Sequence, residues 1–317
     1  MTTRTANAPK ILVVAGETAS GKTETAIRLA ERFGGEIVNA DSMQVYRGMD
    51  IGTATPTAEE RSRATFHLIS FVHPEDTYSA GRFKADADAA IAGILSRGHV
   101  PIVAGGTGLY LKALIHGLVD GPPVDRAFRD EMKAVEAAKP GALHERLRAI
   151  DPVKAEQLPP ADLLRIIRAL EVHQLTGRTL SEIQSEHRFG DADYRALKLG
   201  VRRDRNELEA RVRTRVDEMV AAGLVPEVKA LLDSGVAPAT PAMAAVGYPE
   251  TVAHLRGELD LDGMREAIVH NTMRLAKKQR TWYRGDKEFV WFTLPDEADA
   301  LTAAAAQFLG DDESPTT

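Results

Sequence analysis

The sequence predicts an α/β fold, with a parallel P-loop sheet core flanked by helices and interrupted by an all-helical insertion domain. Three observations carry this prediction. Apolar β-type runs alternate with helical patterns in the first part of the chain, which is typical of β-α-β units. A glycine-rich loop joins the first run to the first helix. A long stretch with only helical signals separates the third run from the fourth.

The β-type runs are apolar and bounded by turn residues, as expected for buried strands. They fall at Lys10–Ala15, Glu36–Ala40, Pro101–Ala104, Leu197–Val201 and Phe289–Leu294. The first helix is expected over Thr23–Phe33, because Gly34 and Gly35 end its pattern. Another helix is expected over Arg205–Ala222, which Gly223 ends.

The helical signals between Asp120 and Tyr194 divide the chain into three segments. Residues 1–119 are expected to form the first part of the core, and residues 196–317 its second part with a basic C-terminal helix. Residues 120–195 are expected to form a separate helical insertion. The alternative is that these helices only cover the sheet.

Composition excludes several classes of protein. The chain has 317 residues, a hydrophobic fraction of 44% and no cysteine, so disulfides, thiolate catalysis and cysteine-ligated zinc are excluded. No apolar run is long enough for a membrane span, and the first residues lack the pattern of a signal peptide, so a cytoplasmic location is expected. With a net charge of −6, the protein could bind nucleic acid only through local basic patches.

The segment Gly16–Thr23 reads Gly-Glu-Thr-Ala-Ser-Gly-Lys-Thr and is called here the phosphate-loop motif. It predicts a site for a diphosphate or a nucleotide such as ATP, because glycines turn backbone N–H groups toward an anion at a helix N-terminus. Lys22 adds a positive charge, and the hydroxyl of Thr23 is expected to hold Mg²⁺. The predicted phosphate-binding residues of the motif are Gly16, Glu17, Thr18, Ala19, Ser20, Gly21, Lys22 and Thr23.

Two arginines on the Arg205–Ala222 helix are candidates for the same site. Arg215 falls at the edge of the apolar arc of this helix, one turn from Arg211. A guanidinium at a buried edge needs an anionic partner. That partner is either an internal Asp or Glu, or a phosphate of the ligand.

Polar residues follow the second strand, where Asp41, Ser42, Met43 and Gln44 end up beside the phosphate-loop motif. A carboxylate there can accept a proton or orient an amine, bind Mg²⁺, or belong to a simple turn. The third strand ends in Ala-Gly-Gly-Thr-Gly without a carboxylate. An ATP-hydrolysing enzyme usually has an acidic Mg²⁺ ligand at such a position, so the sequence disfavours hydrolysis of ATP.

Two basic segments could contact RNA. Residues 270–285 carry Lys277, Lys278, Arg280 and Arg284 together with aromatic residues that could stack on bases. In the insertion, Arg165 and Arg168 lie opposite the stripe of Leu163, Ile166, Ile167 and Leu170, free to meet phosphates. The ordinary reading of either segment is a solvated helix face.

The chain resembles the bacterial tRNA dimethylallyltransferases, which are also called tRNA isopentenyltransferases, from the phosphate-loop motif to about Phe292. The resemblance is carried by the motif at 16–23, the stretch Asn-Ala-Asp-Ser-Met-Gln-Val-Tyr-Arg-Gly-Met-Asp-Ile-Gly-Thr-Ala at 39–54, Phe-His-Leu-Ile-Ser at 66–70, Tyr-Ser-Ala-Gly-Arg-Phe at 78–83, Ala-Gly-Gly-Thr-Gly-Leu-Tyr at 104–110, Ala-Val-Gly-Tyr at 245–248 and Lys-Lys-Gln-Arg-Thr-Trp-Tyr-Arg-Gly at 277–285. One departure is Glu17, where the family commonly has proline. It adds a negative charge near the phosphates and is expected to weaken their binding.

The resemblance implies that dimethylallyl diphosphate, with Mg²⁺, occupies the loop, and that the exocyclic amine of the adenine 3′ of the tRNA anticodon attacks it. It implies that Asp41 is the base, and that Thr18, Lys22 and Arg215 act on the diphosphate, with Arg211 the weaker candidate. The insertion would grip the anticodon stem-loop, and a monomer is expected. The implied tRNA contacts are Asp41, Ser42, Met43, Gln44, Thr107, Arg129, Leu164, Arg165, Arg168, Gly247, Tyr248, Lys277, Lys278, Arg280 and Arg284.

Three alternatives stay open from the residues alone. The first is a nucleotide-kinase-like phosphotransferase on the same loop, with the helical insertion as a lid. The second is an adenylate isopentenyltransferase that modifies a free nucleotide, which would need neither the insertion nor the basic segment. The third is a non-catalytic RNA-binding protein.

Overall fold

In a computed structural model of the chain, the structure describes residues 8–118, 122–186 and 193–310. Two compact units are present. Within the described residues, the sheet unit consists of residues 8–116 and 193–310, and the helical unit of residues 117–118 and 122–186. The boundary expected at residue 120 lies outside the described residues.

In the described part of the chain, six parallel strands form one sheet in the order β3-β2-β4-β1-β5-β6. The strands are β1 Lys10–Gly16, β2 Gly35–Asn39, β3 Phe66–His67, β4 Val100–Gly105, β5 Arg195–Arg202 and β6 Val290–Thr293. The predicted parallel α/β sheet is therefore confirmed. The sequence pattern missed β3, because a strand of two residues is too short to show any alternation.

The helices follow the sequence pattern closely where it was long. The helix expected over Arg205–Ala222 has these bounds, and the first helix begins one residue earlier than expected, at Lys22. The helices are α1 Lys22–Phe33, α2 Ala58–Arg63, α3 Ala80–Ser96, α4 Gly108–His116, α5 Arg126–Ala138, α6 Ala142–Ile150, α7 Pro152–Gln157, α8 Leu163–Thr176, α9 Leu180–Glu186, α10 Arg205–Ala222, α11 Leu224–Asp233, α12 Tyr248–Leu255, α13 Leu261–Tyr283 and α14 Ala298–Gly310.

Successive residues of a strand point to opposite faces of the sheet. Since successive residues of β1 are buried, both faces of the sheet are covered at this strand. Ile11 and Val13 belong to the hydrophobic core on one face of the sheet, while Leu12 and Val14 belong to the core on the other face. Since all the strands are parallel, the carboxyl ends of β1, β2 and β4 meet at one edge. That edge carries the phosphate-loop motif, Asp41 and Thr107.

Every secondary-structure element within residues 122–186 is a helix. The predicted apolar stripe of α8 lies in the core of the helical unit, where Ile166 and Leu170 are buried with Leu143 and Leu147. No helix within the described ranges is long and apolar enough to cross a membrane.

A buried carboxylate holds two arginines in the helical unit. Glu171 is fully buried and accepts hydrogen bonds from Arg129 at 2.7 Å and from Arg168 at 2.6 Å. Burial alone would raise the pKa of Glu171, but the bonds from both arginines outweigh burial and lower this pKa to about 2. The folded-state pKa lies below the unfolded value of about 4.3, so this group stabilises the unit above that pH.

Substituting Glu171→Gln should lower the free energy of unfolding of the helical unit by about 2–3 kcal/mol at pH 7, because it leaves two arginines without their shared anion. In the wild type the same contribution should fade as the pH falls from about 4.3 toward 2. Urea denaturation of both proteins across this pH range measures both effects. Glu131→Gln, at an exposed site on α5, is the control, and an equal loss there would contradict the assignment.

Candidate active site

A cavity of about 690 Å³ opens within the sheet unit at the carboxyl edge of the sheet. Ligands of open α/β sheets bind at this edge, and the volume suits a small organic substrate. Its lining includes residues of the phosphate-loop motif, of the segment after β2, of the end of β4 and of α10. The lining residues that matter below are Thr18, Ala19, Gly21, Lys22, Thr23, Asp41, Gln44, Gly105, Arg211 and Arg215.

The phosphate-loop motif joins β1 to α1 and brings together the N-terminus of α1, the Ser20 hydroxyl and Lys22. Gly21 caps α1 without any side-chain hydrogen bond, so the first turn of the helix lacks a side-chain cap. The hydroxyl of Ser20 is fully buried and has no hydrogen-bond partner in the described part of the chain. Lys22 Nζ donates to the carbonyl of Glu17 at 2.8 Å. Unpaired donors at a helix N-terminus are what an anion requires.

Lys22 is electrostatically coupled to other groups of the cavity. Burial lowers the pKa of Lys22 to about 8, the charge of Asp41 opposes that shift, and the charge of Arg215 adds to it. Lys22 and Arg215 therefore act on the same space. An anion bound between them would raise the pKa of Lys22.

The affinity for inorganic pyrophosphate should fall as the pH rises above about 8, because Lys22 then loses its charge. The decrease should reach up to about tenfold per pH unit until the raised pKa of the complex is passed. Isothermal titration calorimetry in buffers of different ionisation enthalpy measures the proton uptake directly. Lys22→Met is the reference that retains pyrophosphate's own ionisation. Equal proton uptake by both proteins would contradict the prediction.

Arg215 is half-buried at the cavity wall. It makes no ion pair or hydrogen bond with residues 8–118, 122–186 or 193–310. Burial, followed by the charge of Arg211, lowers the pKa of Arg215. Arg211 Nε donates to the carbonyl of Ala19 at 3.0 Å. No carboxylate among the described residues pairs with Arg215, although the charges of Glu218 and Glu60 partly oppose the lowering of its pKa.

Asp41 is held by its own loop. Its Oδ1 atom accepts the N–H of Met43 at 2.9 Å, and the Thr107 hydroxyl oxygen accepts the N–H of Ser42 at 2.9 Å. Among the described residues none donates to Asp41 Oδ2. The Gln44 amide donates to two backbone carbonyls of the cavity wall, at 3.1 and 2.9 Å. These hydrogen bonds hold the loop, and Asp41 Oδ2 is left to accept a further hydrogen bond.

Tyr248 requires a correction, since it was expected to contact tRNA. Its side chain is fully buried and its hydroxyl donates to Glu227 at 2.8 Å. Glu227 also accepts the N–H groups of Ile51 and Gly52, and a Cβ on Gly52 would lie 2.6 Å from the Tyr248 ring. Tyr248 therefore supports the loop that lines the cavity. Gly247, beside it, is also buried.

The basic residues expected to contact tRNA from the helical unit fall into two groups. Arg129 and Arg168 are occupied by Glu171, so the expectation that Arg168 is free to meet a phosphate is wrong. Leu164 is 79% exposed. Arg165 is also exposed, and its one ion pair with a described residue is the surface pair with Asp162 at 3.2 Å. Leu164 and Arg165 remain available to a partner.

The basic residues at the C-terminal end of α13 also fall into two groups, those without a described partner and one that is ion-paired. The side chains of Lys277, Lys278 and Arg284 are exposed and have no partner within the ranges that the structure describes. Arg280 differs, because it is ion-paired with Glu17 at 2.7 Å. The prediction that Arg280 is available for RNA is therefore corrected.

Sequence reasoning missed two residues that organise the site. Glu227 holds the loop at Ile51 and Gly52, and no local pattern around it could have shown this. The side-chain amide of Gln279 accepts a hydrogen bond from the N–H of Thr18 and donates one to the carbonyl of Gly106. Its only signal was its position between the basic residues of the 277–285 motif.

The fold and the cavity together define the class, an α/β protein with a P-loop-like core and a cationic site at the carboxyl edge of its sheet. The profile described as IPP transferase matches residues 44–286. A tRNA dimethylallyltransferase of Geobacter sulfurreducens is 47% identical over 303 residues, covering 95% of this chain and 97% of the relative. One of Anaeromyxobacter dehalogenans is 50% identical over 295 residues, covering 92% and 96%.

Solved structures agree with these relatives. The tRNA isopentenylpyrophosphate transferase of Bacillus halodurans superposes with a TM-score of 0.71 at 36% identity, covering 95% of this chain and 97% of that one. A eukaryotic dimethylallyltransferase acting on tRNA superposes with a TM-score of 0.81 at 29% identity, covering 96% and 79%. The chain belongs to the IPP transferase family. The family predicted from the motifs is confirmed.

Proposed function

We propose that the chain is an enzyme that transfers a dimethylallyl group from dimethylallyl diphosphate to the exocyclic amine of the adenine directly 3′ of the anticodon in tRNA, releasing diphosphate. Relatives that cover nearly the whole chain carry the name tRNA dimethylallyltransferase. The observation that carries the proposal is the cavity itself. It is lined by Lys22, by the carboxylate of Asp41 and by Arg215, which has no partner among the described residues.

The cations of the cavity suit the departure of a diphosphate. An allylic diphosphate breaks its carbon–oxygen bond as negative charge gathers on the leaving group. Lys22, Arg215 and Arg211 line the cavity that would hold this charge. One preorganised donor of this kind contributes about 3–4 kcal/mol to stabilising a transition state. The cost of holding the unpartnered Arg215 at the cavity wall is offset when the anion arrives.

Asp41 suits the acceptor. The attacking amine forms a bond to the allylic carbon as diphosphate leaves, and it must then lose one proton. Asp41 Oδ2 is the atom that can accept a hydrogen bond from that amine and take its proton. General-base assistance of this kind contributes a factor of about a hundred to ten thousand.

The residues present fit a Mg²⁺ ion. The Thr23 hydroxyl lines the cavity and has no hydrogen-bond partner in the described residues. Mg²⁺ needs only one or two protein oxygens when substrate phosphates supply others, so the absence of a cluster of three or more metal-ligating His, Cys, Asp or Glu side chains among the described residues is compatible with it. When bound, the ion would neutralise charge on the diphosphate, with Thr23 as its protein ligand.

The decisive experiment is incubation with labelled dimethylallyl diphosphate, Mg²⁺ and an anticodon stem-loop that carries an adenine 3′ of the anticodon. Label should enter this RNA and not the same stem-loop with guanine at that position. Parallel reactions contain AMP as the acceptor, or ATP with nucleoside monophosphates. Prenylation of AMP alone would favour the free-nucleotide enzyme, and fast phosphoryl transfer without prenylation would favour the kinase.

The exposed basic side chains of α13 are proposed as tRNA phosphate contacts. Replacing Lys277 and Lys278 together with alanine should make the salt dependence of tRNA binding shallower by about two units of slope, because two fewer phosphates are neutralised. Fluorescence anisotropy of a labelled stem-loop at several salt concentrations measures this slope. Lys229→Ala on α11, which pairs with Asp233, is the control. An unchanged slope would remove α13 from the interface.

We further propose a monomer in the cytoplasm, where unmodified tRNA is found. Sedimentation equilibrium with and without the stem-loop tests the oligomeric state. A dimer in either condition would contradict the proposal that the protein is a monomer.

A further inference from the structure

The C-terminal end of α13 is hydrogen-bonded to two loops of the candidate active site. Gln279 Oε1 accepts the N–H of Thr18 at 2.8 Å, and Gln279 Nε2 donates to the carbonyl of Gly106 at 3.1 Å. A Cβ built on Gly106 would lie 2.3 Å from Gln279 Nε2, so a side chain at position 106 would displace the Gln279 amide from this contact. The helix thus joins the phosphate-loop motif to the end of β4.

Arg280 compensates a buried negative charge in the phosphate-loop motif. Its Nε and Nη2 atoms both donate to Glu17 Oε2, at 3.0 and 2.7 Å. Glu17 is only 4% exposed, and its backbone carbonyl accepts the hydrogen bond of Lys22. Without Arg280, a buried carboxylate would stand uncompensated beside the predicted diphosphate site and repel the ligand.

The other basic side chains at this end of α13 lack such a role. Lys277, Lys278 and Arg284 are exposed, and no described residue pairs with their side chains. The same few turns therefore carry cations that face solvent and one cation, Arg280, that faces the loop. This contrast separates Arg280 from the proposed RNA contacts.

We propose that Gln279 and Arg280 are positioning residues for the diphosphate donor, and that Arg280 acts by neutralising Glu17 rather than by binding RNA. The inference deepens the proposed function and rests on it. Gln279 fixes the N–H of Thr18 and thereby the shape of the loop. Arg280 removes the electrostatic penalty that Glu17 would impose on a bound diphosphate.

The test is a double-mutant cycle with E17Q, R280Q and E17Q/R280Q, using inorganic pyrophosphate with Mg²⁺ as the probe and calorimetry as the readout. R280Q should weaken pyrophosphate binding by about tenfold or more, whereas E17Q should change it by less than about threefold. The double variant should return to within about threefold of the wild type, because charge and countercharge have both gone. K278Q is the matched control, which should weaken binding of the stem-loop and leave pyrophosphate unaffected.

Two results would overturn the inference. One is an R280Q variant with unchanged pyrophosphate affinity, and the other is a loss that E17Q does not restore. If R280Q weakens binding of the stem-loop but not of pyrophosphate, Arg280 is an RNA contact and the inference is overturned as well. If R280Q does not fold, R280K takes its place. A folded R280K keeps the positive charge beside Glu17, so it should lose much less affinity than the loss of about tenfold expected of R280Q. A loss of about tenfold or more in R280K would overturn charge compensation.

The outcome is distinguishable from that of the proposed function. The four proteins of the cycle could show the expected pyrophosphate affinities while the wild type transfers no dimethylallyl group. That result would contradict the proposed function and support the inference. An R280Q variant that transfers the dimethylallyl group at the wild-type rate and binds pyrophosphate with the wild-type affinity would overturn the inference and leave the proposed function intact.

Discussion

Replacing Asp41 with asparagine is expected to lower the rate constant of prenyl transfer by about a hundred- to ten-thousand-fold. The amide keeps the size of the side chain and can still accept the N–H of Met43 through its oxygen, so the loop should stay in place. What is lost is the oxygen that takes a proton from the attacking amine. Affinity for tRNA should change by less than about threefold, because the interaction matters mainly in the transition state.

Single-turnover kinetics with a saturating stem-loop, together with anisotropy for RNA binding, separate these quantities. Asp50→Asn is the matched control, because Asp50 lines the same cavity but already accepts a hydrogen bond from Ser70. That variant should lose far less activity than the Asp41 variant. Equal losses of rate and RNA affinity on changing Asp41 would mean that this residue only positions RNA.

Replacing Arg215 with alanine should lower the rate constant by about a hundred- to a thousand-fold, as expected for the loss of one preorganised charge at the leaving group. The melting temperature should barely change, because Arg215 has no partner among the described residues whose loss would leave a buried charge unpaired. Differential scanning fluorimetry and single-turnover kinetics on the same preparation test both statements.

Arg213→Ala is the control for the Arg215 variant, because Arg213 lies on the same helix and is exposed, paired with Glu266 at 2.7 Å. Its rate constant should be close to that of the wild type. A collapsed melting transition on changing Arg215 would instead reveal a structural role. Retained activity in Arg215→Ala would move the leaving-group role to Arg211.

Much of the fold follows from local patterns. The strand β1, the turn at the phosphate-loop motif and the start of α1 were predicted together, because a buried apolar run, glycines and helical periodicity are each visible over a few residues. The strand β3 was not, since its two residues form a strand only through pairing with Ile37 and Val38 of β2.

The candidate site was predicted in part for the same reason. Asp41 and Lys22 could be expected at one edge because the carboxyl ends of parallel strands share it. Arg168 shows a signal that was overlooked, since Glu171 lies one helical turn away and pairs with it. Tyr248 shows no such signal, because its burial depends on Glu227 and Gly52, which come from distant parts of the chain.

The amino-acid sequence by itself determined the class of fold, the phosphate-loop motif and the family, because these depend on side-chain periodicity and backbone preferences over short stretches. Only the tertiary structure decided which charged side chains are free and which are occupied. Arg280 and Glu17 are 263 residues apart in the chain, and their pairing exists only because α13 packs on the loop. The energy of a charged group depends on its desolvation and on its nearest countercharge, and neither can be found from neighbours in sequence.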